Sequence, residues 1–258
     1  MSTELLMPAQ HYTTHKFEVR LATELKEIRQ AQALRYQIFS EEMGAQMNTP
    51  IPAYDIDRFD PYCHHLLVRE KQKGQIVGYS RILTSEQAQI AGGFYSESEF
   101  DLTHIFKLPG RFIEVGRSCV HADYRNGVIM GLLWSGLARF MVAHQFDYLM
   151  GCASIPMSYN HHNILFTRLQ ERYSTPIHLR VTPKVPLLKD FYHTEPVLSL
   201  PSLFKAYLRL GAQICGDPCW DPTFKVADVF ILVTIANLQQ RYVKHFVNRV
   251  HTLDEVAA

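Results

Sequence analysis

Glu114 and Arg117 stand three residues apart in an apolar stretch, and the helix pattern that follows opens on Arg125, Asn126 and Gly127. Opposed charges set among apolar residues suit a site where ionic groups work away from bulk water. A helix start offers free backbone N–H groups and the positive end of the helix dipole, here with a guanidinium beside it. That combination suits the phosphate of a phosphopantetheine or a nucleotide. An Arg-x-Gly opening also occurs in plain surface helix caps, and the residues alone leave both readings open.

Two more arginines sit where arginine is costly. Residues 23–43 read as a helix with Thr23 as N-cap and Gly44 as its stop. At about 100° per residue, Ile28, Ala31, Leu34, Ile38 and Phe39 fall on one apolar arc, and Arg35 lies inside it. Residues 64–70 and 75–84, joined by a turn at 71–74, read as a hairpin that places Arg81 on one face with Val77, Tyr79 and Leu83. A guanidinium in such a place either snorkels along its stem or meets a carboxylate. Carboxylates are available in the proline-bounded loop 48–61, which carries Asp55, Asp57 and Asp60. These can be turn residues, a cation site or partners for Arg35, although the spacing lacks the glycine and closing Glu of a calcium loop.

The elements that must position these charges follow in order. Residues 17–22 read as a first strand. Residues 85–110 form a polar, glycine-bearing excursion with a short helix at 98–106, expected to be a lid or substrate loop rather than core. Residues 111–121 return as a strand in which Glu114 and Arg117 would face opposite ways unless a bulge at Gly116 brings them together. A helix over 128–144, a strand over 148–155 and a helix near 160–173 suggest a parallel crossover. A short helix ends at Gly211, the apolar run 226–236 is too short to span a bilayer and reads as a buried strand, and a helix follows to about residue 250. The expected organisation is a flexible N-terminus over 1–16 and one domain over 17–258 with a C-terminal elaboration.

The totals exclude several classes. The 258 residues are 47% hydrophobic, enough for a sizeable core, and the formal net charge of +1 gives no global argument for nucleic acid. Five cysteines, without a C-x-x-C pair, read as reduced core thiols, and the N-terminus lacks signal-peptide regions, so a cytoplasmic setting is expected. Adjacent His161 and His162 point apart with no third ligand in the pattern, so no metal is expected.

Arg35-x-x-x-Phe39, Asp57-x-x-Asp60, the run Gly78, Tyr79, Ser80, Arg81, and Glu114-x-x-Arg117 occur in the order of the charged constellation of the acyl-homoserine lactone synthases, which the chain resembles distantly. The stretches HADYRNGVIMGLLWSGLARF and YLRLGAQICGDPCWDPTFKVADVFIL resemble more closely the ornithine N-acyltransferases that make lyso-ornithine lipid, a branch of the GNAT acyltransferase superfamily. The resemblance implies an α/β, GNAT-like fold: a mixed twisted sheet with a central bulged strand flanked by helices. It implies transfer of a (3-hydroxy)acyl chain from acyl carrier protein to the α-amine of ornithine or a related amino acid. The runner-up is a synthase of another N-acyl amino acid or a lactone signal. A reading of a different class is a non-catalytic lipid- or membrane-binding protein that makes contact through residues 226–236.

The resemblance also assigns roles. Arg35, Arg81 and Arg117 would pair with Asp57, Asp60 and Glu114, with Phe39 beside them. Glu114 is either the base that accepts the amine proton or an anion held by Arg117 and Arg81 and too acidic for that task. A backbone N–H at the bulge after Gly116 would hold the oxyanion. Asp57 and Asp60 would otherwise bind the substrate's amines. Arg125, Asn126 and Gly127 would bind the donor's phosphopantetheine. From Arg125 the chain runs RNGVIM, which departs from the usual acetyltransferase loop and favours acyl carrier protein over a coenzyme A thioester. No permanently bound cofactor is implied. Phe140, Met141, Leu149 and Met150 could line an acyl groove, although each taken singly reads first as plain core, and Lys107, Arg111, Arg125, Arg168 and Arg172 are cations available to an acidic carrier or ordinary surface charges. The expected location is cytoplasmic, with peripheral contact at the inner membrane.

Overall fold

The structure, a computed structural model, describes residues 12–157, 162–187 and 200–235. The expected helix to residue 250, His161 and most of the proline-rich link before Pro201 lie outside the described residues. Strands β1 (Tyr12–Thr13), β2 (Phe17–Leu21), β3 (His64–Glu70), β4 (Ile76–Thr84), β6 (Phe112–Val120), β7 (Tyr148–Pro156), β11 (Val226–Thr234) and β10 (Cys219–Asp221) run across one mixed sheet in that spatial order. A short β9 (Gln213–Ile214) pairs with β11, and β5 (Phe100–Asp101) pairs with β8 (Thr182–Pro183) in a separate ribbon. The ladders are antiparallel except β6 with β7, the pair joined by helix α3 (Val128–Ala143) as the crossover pattern predicts. Helices α1 (Leu25–Tyr36), α2 (Ser85–Ala91), α4 (His162–Tyr173) and α5 (Ser202–Arg209) complete the set.

The first helix differs from expectation at both ends. Its N-cap is Glu24 rather than Thr23, because the Glu27 carboxylate turns back to accept the N–H groups of Thr23 (3.0 Å) and Glu24 (3.4 Å). It then changes at Gln37–Glu42 into a π-helical turn, with the Met43 N–H donating to Ile38 O at 3.1 Å. Tyr12–Thr13, within the segment expected to be frayed, adds a strand to β2, and the Tyr12 hydroxyl donates to Leu132 O at 2.5 Å.

Residues 85–110 are not a lid. They form α2, two 3-10 turns at Tyr95–Ser98 and Ile105–Lys107, and β5; Phe94, Phe100, Leu102 and Ile105 from them are buried in a second core with Phe112, Met150 and Phe230. The helix expected over 98–106 is α2 instead, started by a capping box between Thr84 and Gln87 and ended at Gly92, whose φ is +80°. The run from Val226 is buried through Val233 between β7 and β10, so it offers no membrane surface.

His64, at the start of β3, tilts against the Phe140 ring at 5.2 Å, and burial, with His144 and His65 nearby, pushes its imidazole down to about 4. Between the ordinary imidazole value of 6.5 and about 4 the unfolded chain takes up a proton that the folded chain refuses, so stability falls as pH drops through that window. Urea midpoints measured above and inside the window are expected to show this fall. His64→Gln should shallow it.

Candidate active site

Three arginines from three elements meet three aspartates from one loop. Arg35 on α1 is fully buried; its Nε donates to Asp55 Oδ2 at 2.8 Å and its Nη1 to Asp60 Oδ1 at 2.9 Å. Arg81 on β4 reaches Asp57 Oδ1 at 2.6 Å and Asp60 Oδ1 at 2.8 Å. Arg117 on β6 lies 3.2 Å from Asp55 Oδ2 and 3.3 Å from Asp57 Oδ2. The Gln32 amide adds a bond to Asp60 Oδ2 at 2.9 Å, and Tyr79 OH, 2.7 Å from His65 Nδ1, sits beside Arg35. Burial tends to raise Asp57 and Asp60, but the guanidinium charges outweigh it and hold both carboxyls below their usual range. Balanced charge is what makes the cluster tolerable in a core.

Glu114 stands apart from this cluster. Its carboxylate accepts the backbone N–H of Tyr95 and of Ser96, both at 2.8 Å, and no ion pair holds it among the described residues. The expected pairing of Glu114 with Arg81 and Arg117 is therefore corrected: Asp55 is the third anion. Burial raises the Glu114 carboxyl above its usual range, opposed by the Ser96 and Tyr95 bonds and by the nearby Arg81 charge. The argument that an arginine would make it too acidic to accept a proton fails accordingly.

The strand is bulged, one position later than expected. Gly116 still pairs with Arg81 and Cys119 with Tyr79, so Arg117 and Ser118 together oppose Ser80. Arg117 takes the left-handed conformation, φ +53°. Its guanidinium lies 5.3 Å from the Tyr95 ring centroid and 5.0 Å from that of Phe224.

β6 and β7 pair only from Phe112–Tyr148 to Glu114–Met150, and beyond that the two strands border a cavity of about 400 Å³. Glu114, Arg81 and Arg117 line it together with Phe39, Tyr95, Phe204, Tyr207, Phe224 and Val226. Gly151 sits where the strands part, and a Cβ there would come within 2.5 Å of Val115 O. Gly151→Ala is expected to cost about 1–3 kcal/mol by overpacking, read as a lower thermal midpoint.

The chain's relatives bear on what this cavity does. Residues 34–135 match the family model described as an acetyltransferase (GNAT) domain. The L-ornithine N(α)-acyltransferase of Brucella abortus (strain 2308) is 36% identical over 249 residues, covering 89% of this chain and 88% of its own length. That of Agrobacterium fabrum (strain C58) is 36% identical over 251 residues, covering 89% and 84%. That of Rhodobacter capsulatus is 32% identical over 256 residues, covering 91% and 96%. The chain belongs to the L-ornithine N(α)-acyltransferase family. It is an acyltransferase on a GNAT scaffold, which removes the non-catalytic reading. Among solved structures, the acyl-homoserine lactone synthase LasI superposes with a TM-score of 0.53 at 14% identity, covering 88% of this chain and 94% of its own. The N-acyl amino acid synthase FeeM, from uncultured soil microbes, gives 0.52 at 11% identity over 88% and 94%. These two show the shared fold.

Of the expected site residues of this acyltransferase, Phe39, Arg81, Glu114 and Arg117 line one cavity, with Phe39 edge-on to Phe224 at 5.8 Å, while Arg35, Asp57 and Asp60 do not line it and reach it only through their ion pairs with one another, Arg81 and Arg117. Arg125 also lines the cavity, but its Nη2 is paired to Glu42 at 2.5 Å and its Nε donates to Val120 O at 3.0 Å. Gly127, φ +89°, starts α3, and Asn126 Oδ1 accepts the Val128 N–H at 3.1 Å, so one helix-start donor is already engaged. Phe140, Met141, Leu149 and Met150 are not the groove: all four are core, at most 2% exposed. Asp55, named in the loop as a possible partner for Arg35, is one, although the set implied by the resemblance left it out. Sequence reasoning missed Tyr95 and Ser96 as the donors to Glu114, and the buried acids Glu99, Asp221 and Asp228. Asp228 carried a legible signal, a lone carboxylate inside the apolar run of β11.

Proposed function

We propose that the protein transfers a 3-hydroxyacyl chain from the phosphopantetheine thioester of acyl carrier protein to the α-amine of ornithine, giving a lyso-ornithine lipid. The observation that carries this reading is the cavity in which Glu114, Arg81 and Arg117 border the space between the splayed strands, with an apolar wall alongside. Its volume of about 400 Å³ falls in the range of small-molecule sites.

In this reading the neutral α-amine attacks the thioester carbonyl; the C–N bond forms, the C–S bond breaks, and the thiolate leaves with a proton. Glu114 takes the proton from the amine, directly or through one water, helped by a pKa raised toward the operating range. The two N–H bonds from Tyr95 and Ser96 fix which lone pair faces the cavity. The bulge at Arg117 takes backbone out of the β4 ladder, and an N–H there serves the oxyanion. The ion cluster holds Arg117 and the loop of aspartates in place, leaving them little capacity for substrate amines. Arg125, Asn126 and Gly127 receive the phosphopantetheine at the start of α3, which requires Arg125 to exchange Glu42 for a phosphate. Arg111, already paired with Glu86, and Lys107 are candidates for the carrier's acidic face. The setting is cytoplasmic, with peripheral membrane contact where the lipid product departs; no described helix is long and apolar enough to cross a membrane.

The test is incubation of purified protein with 3-hydroxyacyl carrier protein or the matching coenzyme A thioester and a panel of amino acids, with product identified by mass. N-acylornithine from the carrier-protein donor is expected. Product from coenzyme A thioesters alone overturns the donor, and homoserine-derived product overturns the acceptor.

A further inference from the structure

Three carboxylates lie outside the arginine cluster. Glu99, Asp221 and Asp228 are buried, with carboxylate oxygens within 4.8 Å of one another. Asp221 on β10 and Asp228 on β11 line the same cavity as Glu114 and Arg117. Their protein partners are few: Asp228 accepts the Ser154 hydroxyl at 2.5 Å, and Asp221 accepts the N–H groups of Thr223 at 2.7 Å and Phe224 at 3.2 Å. None of the ion pairs among the described residues involves any of the three. Glu99 is 8% exposed, and neither of its oxygens makes a hydrogen bond, although Tyr95, Cys152 and Asp228 are its polar neighbours.

A buried carboxylate without donor or counter-charge costs several kcal/mol, and three together repel one another. The fold meets that problem at the arginine cluster with matched cations, and leaves it unmet here, at a cavity wall. Burial, with repulsion from the neighbouring acids, holds Glu99 and Asp228 above the usual carboxylate range and favours their protonated forms; a cation placed among them would favour the ionised forms instead.

We propose that Glu99, Asp221 and Asp228 receive the side-chain ammonium of the acceptor amino acid and thereby decide which of its two amines is acylated. This rests on the N-acyltransferase reading above. The trio adjoins the reacting end of the cavity: Ser96, whose N–H binds Glu114, has its hydroxyl 3.3 Å from the Cys152 thiol, and Cys152 in turn neighbours Glu99 and Asp228. An ammonium held by the trio stays charged and cannot attack a thioester, while the other amine of the same molecule is left free beside Glu114. Three carboxylates supply the three acceptors that one ammonium can use. The aromatic walls at Phe224 and Tyr207 beside the trio suit the methylenes of an amino-acid side chain.

The experiment compares ornithine with norvaline, the same carbon skeleton without the distal amine, using the acyl carrier protein donor and locating the acyl group by fragmentation mass spectrometry. Wild type is expected to favour ornithine in kcat/KM by roughly 100-fold or more, since a site built for a polar group rejects the analogue that lacks it. In Asp228→Asn and in Glu99→Gln that ratio should fall toward unity, with part of the ornithine product acylated on the side-chain amine. A wild-type ratio near unity overturns the proposal, as does an unchanged ratio in both variants, including the case where both rates drop together. Ornithine transfer abolished by a chelator and restored by magnesium or calcium overturns it in favour of a metal site. Absence of any acylated amino acid from wild type instead refutes the underlying N-acyltransferase reading.

Discussion

Arg35→Met is expected to lower the unfolding free energy by about 3–5 kcal/mol at neutral pH, the largest stability effect of any single change in the site. The side chain it removes is fully buried and bonded to both Asp55 and Asp60. Asp60 would keep Arg81 and Gln32, and Asp55 would keep the longer contact to Arg117, so the cluster is left with one uncompensated negative charge in a dry place. Methionine fills most of the volume, which separates the loss of charge from the loss of packing. The pH dependence follows from Asp60, where burial raises the carboxyl but Arg35 and Arg81 outweigh it. Its contribution is present above the unfolded value of 3.8 and disappears as pH falls through the lower folded value. With Arg35 gone that gap narrows, so the deficit of the variant is greatest near neutrality and shrinks in acid. Urea unfolding followed by far-ultraviolet circular dichroism gives both quantities. Pairing the change with Asp60→Asn should recover part of the loss, because the two residues act as one unit. An unchanged midpoint in Arg35→Met would remove the cluster from the account of stability.

Glu114→Gln is expected to lower kcat/KM for N-acylation by about 10²–10⁴-fold, the magnitude general-base catalysis supplies. Glutamine keeps the length and one acceptor, so one of the two N–H bonds from Tyr95 and Ser96 survives and the other is lost. That loss should cost about 1 kcal/mol of stability, too little to explain the rate. The discriminating readout is the pH profile. A base must be ionised to act, and burial raises this carboxyl, so wild-type kcat/KM should fall on the acid side through a pKa above the ordinary glutamate range. The acid limb should vanish in Glu114→Gln. Retention of that limb, or a rate within a few-fold of wild type, would reduce Glu114 to an anchor for the turn at Tyr95–Ser98.

The ion cluster was legible because buried arginine is an anomaly that asks for an answer. Arg35 on an apolar helical arc and Arg81 on an apolar strand face both required carboxylates, and the loop of three aspartates supplied them. Which carboxylate meets which arginine was not legible, because periodicity gives facing and not distance; the set implied by the resemblance placed Glu114 where Asp55 belongs. The bulge was expected at Gly116 because glycine is the usual residue for left-handed backbone, but here Arg117 takes that conformation, held between Asp55, Asp57 and two aromatic rings. Residues 85–110 read as polar excursion because Phe94, Phe100, Leu102 and Ile105 follow neither period, being delivered to the core by irregular turns. The Thr84–Gln87 capping box was the signal for α2. The aromatic wall of the cavity was out of reach for a different reason: Phe39, Tyr207 and Phe224 come from three distant segments, and nothing local marks them as neighbours.

The π turn at Gln37–Glu42 puts two registers on one rod. Before it, Gln32 and Arg35 are locked to the loop aspartates; within it and at its end, Phe39, Glu42 and Met43 wall the cavity. One residue more or less in that turn swings everything downstream by about 100° while leaving the upstream half where it is. The anchoring of charge and the shape of the cavity wall are thereby separable traits of a single helix. Substitutions after residue 37 can therefore reshape the cavity without disturbing the arginine that anchors the ion cluster.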